Sequence, residues 1–167
     1  MKNSLFILTF IILVDCGSQP NVKSNSIIGM EFQDFKQVNQ LENYIKISDT
    51  VIYENGTFPK YGILHLRDKT NNLVVFKSLS MESNQDIRFK ILDTLIIPNP
   101  NTSELVTIGY CQENEDNNEN LIALVDKTDS LMIQNIKKVW RANTTSQKIE
   151  SITSLKKINC LNEERPI

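Results

Sequence analysis

The chain reads as an α+β protein, one N-terminal helix packed on a curved antiparallel sheet, with an all-β sandwich or open barrel as the alternative. Two observations predict this. Residues 34–46, DFKQVNQLENYIK, place Phe35, Val38, Leu41 and Ile45 at spacings of 3, 3 and 4, the repeat that lines one side of a helix. From residue 50 onward, short runs rich in Ile and Val alternate with clusters of Asn, Asp, Gly, Ser and Pro, the mark of strands joined by turns.

Each element has its local chemistry. Asp34 can accept from first-turn amides, Gln37 completes a capping-box pair with it, and Lys46 suits the negative end of the helix. Strands are predicted at about 50–54, 61–67, 73–79, 87–97, 104–111, 121–126, 136–142, 148–152 and 156–161, in an antiparallel meander. Asp68 to Asn72 and Asn143 to Gln147 suit the connections, because Asn and Asp tolerate turn conformations. Pro98 and Pro100 would end a strand, since neither can donate to a ladder. Residues 130–140 fit either a helical or a strand period, and a short helix or turn running into a strand is expected.

The N-terminus carries an address. After Met1-Lys2-Asn3 comes the ten-residue run Leu5 to Val14, then Asp15-Cys16-Gly17. Crossing a bilayer takes about 20 apolar residues, so this run has the length of an export signal and not of an anchor. Leu13, Val14 and Cys16 match the lipobox, and here the chain resembles a bacterial lipoprotein precursor. Asp15 departs from that pattern, which has a small residue before the cysteine. The resemblance implies a signal peptide at 1–15, lipid on Cys16 and attachment to the outer membrane. The polar stretch 16–26 reads as a flexible tether, and residues 27–167 as a single globular domain. The tether has no acidic cluster, which favours the periplasmic face.

Size, charge and cysteines bound the rest. Without the leader about 150 residues remain, one ordinary domain by length. There are 18 Lys and Arg against 20 Asp and Glu; the leader removes Lys2 and Asp15, one of each sign, so the net charge stays at −2. Nucleic-acid binding calls for a clustered basic face, so nucleic acid is not an expected partner. With Cys16 assigned to lipid, Cys111 and Cys160 remain, and an exported compartment permits them to pair. Two buried thiols are the alternative.

Motifs for chemistry are sparse. His65 is the one histidine and sits in the strand-like run Gly62 to Arg67 without a partner that spacing can name. Asn114, Asp116 and Asn118 alternate as early calcium ligands do, but the turn glycine and distal glutamate of that loop are missing. No GxSxG, HExxH or glycine-rich phosphate loop occurs, and no cofactor is implied. Trp140 and Arg141, flanked by Lys137 and Lys138, are the candidate partner contact, although a lone tryptophan also suits a core. In a strand, alternation sets Val139 and Arg141 on one face and Ile136, Lys138 and Trp140 on the other. The segments KKVWRAN, KIESI and INCLNE resemble the C-terminal part of small lipoproteins of Bacteroidota, a resemblance that brings no activity with it. The expectation is a non-enzymatic, membrane-tethered module that binds an envelope protein, peptide or glycan, with a small envelope hydrolase or inhibitor-like protein as the alternative.

Overall fold

The computed structural model describes residues 26–53, 58–81 and 86–163; the expected signal peptide, Cys16 and nearly all of the expected tether lie outside the described residues. Within them the chain is built from strands. The first sheet runs in the order β1 (Glu31–Phe32), β5 (Ile87–Pro98), β4 (Asn71–Met81), β3 (Tyr61–Arg67), β2 (Ile45–Ile52). A second has the order β12 (Lys148–Ile152), β11 (Ile136–Asn143), β9 (Leu121–Asp126), β6 (Glu104–Ile108). The third is made of short pieces, β10 (Met132–Ile133), β13 (Ile158–Leu161), β7 (Cys111–Glu113) and β8 (Asp116–Asn117). Every pairing is antiparallel.

The predicted N-terminal helix is not there, and this overturns the α+β reading. In its place two 3₁₀ turns, Phe35–Gln37 and Asn39–Leu41, flank Val38 in an extended conformation, and β2 begins at Ile45. The cap was read correctly: Asp34 accepts from the Lys36 amide, and Gln37 reaches back to the Asp34 amide. What misled was the spacing. Steps of 3 and 3 are the period of the tighter 3₁₀ turn, and only the final step of 4 argued for an α-helix. Val38 and Leu41 are buried as that spacing requires, whereas Ile45 is 61% exposed on the edge strand. The all-β alternative is the class found, as three antiparallel sheets.

The sheets stack in layers. Ile63, Val74, Phe76 and Ile97 of the first sheet meet Val106, Ile108, Ile122 and Ala142 of the second. The outer face of the first sheet, with Leu64, Leu66, Leu73, Val75 and Ile91, is covered by Phe32, Val38 and Leu41. The far face of the second, with Leu121, Ala123, Val125 and Val139, packs on Ile133, Ile158 and the cysteines of the third. Strands β3, β4 and β9 are thus buried on both faces, which is why LVVF and LIALV read as unbroken apolar runs and ILHL is interrupted only by the buried His65. A hydrogen bond ties the first two layers at one side: the Ile149 amide donates to Asp93 Oδ2 at 2.8 Å.

Turn chemistry follows the sequence. Between β7 and β8 the register pairs Glu113 with Asp116, leaving Asn114 and Glu115 at φ 54° and 73° as a two-residue turn with both residues left-handed. The Asn-rich segment that resembled a calcium loop is therefore a tight hairpin. Residues 130–140 are a bend, the short β10 and then β11, with no helix. A bulge between Ile136 and Lys138 shifts the alternation of β11, so Ile136 packs with the Val139 face and not with Trp140 as simple alternation requires.

The expected pairing of Cys111 with Cys160 is present as a disulfide closing a separation of 49 residues, between residues directly opposite on β7 and β13. For a loop of that size the chain-entropy account gives about 4 kcal/mol. Replacing both cysteines by alanine should lower the urea-extrapolated stability of the domain by about 3–4 kcal/mol; a loss under 1 kcal/mol would deny the bridge a role in holding the third sheet.

Candidate functional site

The β5–β6 connection, residues 99–103, crosses the end of the interface between the first two sheets and forms a concavity of about 310 Å³ against β11. One wall is apolar: Trp140, Leu124 and the 61%-exposed Ile96. The opposite wall is Pro98, Asn99, Pro100 and Asn101, with Glu104 and Lys138 adding one charge of each sign. Trp140 serves two roles, packing partly on the core between the first two sheets while lining the groove. Lys138 shares its face, as alternation requires. Arg141 points the other way, where its guanidinium donates to Glu113 Oε1 at 2.6 Å. The two residues singled out as one contact thus belong to different faces, and the groove takes Trp140 alone.

The loop wall is held from within. His65 is 2% exposed, and its Nε2 lies 2.8 Å from Asn72 Oδ1. The same oxygen accepts from Arg67 Nε at 3.0 Å, so the imidazole donates through Nε2. Asn72 is itself fully buried, and its amide donates to Asn99 Oδ1 at 2.9 Å on the groove wall. Asn99 in turn donates to the Asp68 carbonyl, and its backbone amide bonds the Thr70 carbonyl at 2.8 Å. Asn101 Oδ1 accepts from the Ser103 amide at 2.9 Å. Two prolines and these bonds fix the wall before any ligand arrives, which lowers the ordering cost of binding.

Electrostatics set what the groups can do. Burial pushes the His65 pKa down, assisted by Arg67 and opposed by the Asn72 hydrogen bond. Sealed inside, His65 positions Asn72. The hydrogen bond from Lys137 holds the Glu104 and Asp126 carboxyls below their ordinary range, and the same pair raises Lys137. Lys137 Nζ contacts Glu104 Oε1 and lies 2.8 Å from Asp126 Oδ1. Glu104 is therefore ionised at the groove, suited to accepting hydrogen bonds and not to donating a proton. Among the described residues no three or more His, Cys, Asp or Glu side chains gather as a metal-binding group, and no helix is long and apolar enough to cross a membrane.

Sequence reasoning missed Asn72, Asn99 and Ile96. Asn72 was read as turn residue when it is the buried hub of the network, and the only signal was an Asn immediately preceding an apolar run. A second site also went unread. Lys77, 1% exposed, pairs with Asp49 Oδ1 at 2.6 Å, stands 3.9 Å from the Phe89 ring centroid, and borders a cavity of about 100 Å³.

No protein-family model, curated protein or solved structure matches this chain. Its function is argued from its own chemistry.

The histidine gives a pH test. Its folded pKa lies below the ordinary value of about 6.5, so the unfolded chain binds the proton more readily. Stability should be fully present above that value and fall as pH drops from 7 towards 5, before the carboxylates titrate. The urea midpoint should follow this slope in the native chain and flatten in His65→Gln; a slope unchanged by the substitution would place the proton uptake elsewhere.

Proposed function

We propose that this chain is a cell-envelope lipoprotein, tethered by lipid on Cys16, whose β domain is a non-enzymatic binding module for a glycan seated against Trp140. The groove is the observation that carries the reading. An aromatic face beside exposed Ile96 and Leu124 covers the apolar side of a sugar ring, and burying apolar area contributes about 25 cal/mol per Å². Across the groove the bonds that hold the wall leave the Asn99 amide one N–H and one lone pair and the Asn101 amide its NH2, groups that match sugar hydroxyls able to donate and accept at one atom. A mostly apolar concavity with a few fixed polar groups is the general form of a small-ligand site.

The tether rests on Leu13, Val14 and Cys16, and the disulfide suits the oxidising compartment to which such a leader sends a protein. Two or three acyl chains, at about 0.8 kcal/mol per buried methylene, hold a domain to a bilayer without help from its surface. Cells grown on labelled palmitate should yield a labelled, membrane-bound chain, and Cys16→Ala should release it unlabelled to the aqueous fraction; a wild-type chain that is itself unlabelled and soluble would end the lipoprotein reading.

Trp140 is the one tryptophan, so its fluorescence reports on the groove directly. Titration with soluble oligosaccharides of envelope glycans should shift the emission saturably, and Trp140→Ala should weaken binding, followed by calorimetry, at least tenfold, about 1.4 kcal/mol. Saturation by unstructured peptides and by no sugar would replace the glycan with a peptide ligand.

A further inference from the structure

Lys77 is an expensive residue to keep where it is. Desolvating an ammonium costs several kcal/mol that an ion pair repays only in part, and an apolar residue of similar volume would be tolerated at least as well. Four features nevertheless accommodate it. The register slips between Phe76 and Lys77 in the β4–β5 ladder, where the extra residue Leu92 on β5 sets Ile91 opposite Lys77 and puts Ile91 and Phe89 on the face that Lys77 shares with Val75. Directly opposite on β3 stands Gly62, where a Cβ would lie 2.7 Å from the Thr50 carbonyl oxygen and 3.3 Å from Lys77 Cε; the Thr50 backbone requires glycine there, and the lysine stem runs over the space it leaves. The Phe89 ring lies under the ammonium, and the Asp49 carboxylate, 34% exposed, stands between it and solvent.

Beyond Nζ there is space. The cavity of about 100 Å³ is bordered by Phe32, Phe35, Leu64 and Phe89, with Gln33, Asp34, Lys46 and Asp49 as its polar lining. That is roughly the volume of three waters, room for a carbonyl compound of about two to four carbons. A primary amine, an acid–base partner 2.6 Å away and a half-open pocket of that size, walled by Phe32, Phe35, Leu64 and Phe89 on its apolar side, are the parts of an imine-forming site.

We propose that Lys77 is a covalent capture site for small aldehydes and 2-oxo acids, which it binds as an imine with Asp49 relaying the proton. Asp49 takes a proton from the ammonium, and the freed nitrogen lone pair attacks the carbonyl carbon. A C–N bond forms while the carbonyl π pair moves to oxygen, which takes up a proton from the nitrogen. Asp49 then returns its proton to that hydroxyl, which leaves as water as the nitrogen lone pair closes the C=N bond. Ammonium and aldehyde have become protonated imine and water, with Asp49 again a carboxylate and no oxidant or reductant consumed. Burial pushes the Lys77 pKa down, Lys46 adding to the effect and Asp49 opposing it, so more free amine is present near neutrality than on a surface lysine. The charged groups bordering the chamber are Asp49 and Lys46 from β2 and Asp34 from the turn that covers it.

The test uses the full mature chain, with its other lysines as internal controls. Limiting acetaldehyde or glyoxylate with cyanoborohydride at pH 7, followed by peptide mass mapping, should alkylate Lys77 at least tenfold faster than any exposed lysine. Pyridoxal phosphate, too large for the chamber, should label exposed lysines and spare Lys77. Both the rate advantage and the size selection are required. A Lys77 that stays unlabelled, reacts at the pace of the surface, or takes large and small carbonyls equally would reduce it to a structural ion pair.

Discussion

Two-sided burial of the first two sheets is the constraint from which the rest of the architecture follows. Phe76 and Ile122 face each other across one interface, while their neighbours in sequence, Val75 and Leu121 or Ala123, point to the outer layers. A strand with apolar side chains on both faces has no side to offer water, so each central sheet needs a cover on its far side. The 3₁₀ turns supply one, through Val38 and Leu41. The third sheet supplies the other, through Ile133, Ile158 and the cysteines. These outer layers are made of short, irregular pieces, because their task is to shield apolar surface and not to propagate a ladder.

That division explains what was legible in the sequence. The central strands were read almost to the residue at 61–67 and 121–126, since dense Ile, Val and Leu runs bounded by turn residues have one reasonable interpretation. Among the covering segments only β13 was read, at 156–161, and the others were misread or missed. Phe35, Val38 and Leu41 repeat at a period the α-helix shares with 3₁₀ turns, and strands of two or three residues, such as β8 or β10, are too short to show any period. Cys111 and Cys160 were legible as a pair because, with Cys16 set aside for lipid, two cysteines remained. The groove was only partly so. Trp140 stood out by being alone, but Ile96 and Asn99 come from a different sheet, and nothing local announces that a strand end will meet a tryptophan 40-odd positions onward.

Several polar groups inside the protein sit where layers meet or end, and hydrogen bonds answer them. His65, Asn72 and Asn99 form a chain from the closed interior to the groove wall, so the one histidine of the sequence acts as an anchor. Asp93 reaches from one sheet to the amide of Ile149 in another. Lys77 differs, since its partner Asp49 is open to solvent and a chamber adjoins it. An interior cation matched to a void stands apart from one locked in a closed network.

The bridge between Cys111 and Cys160 links two short strands, and its effect is unevenly distributed. Strands β7 and β13 have few ladder bonds of their own, whereas β3, β4 and β5 are long and mutually reinforced. Reduction would therefore peel the third sheet away while the inner pair stayed folded, baring Leu121, Val125 and Val139 as an adhesive patch. A copy stranded where thiols are kept reduced would be sticky before it was unfolded, a natural handle for quality control.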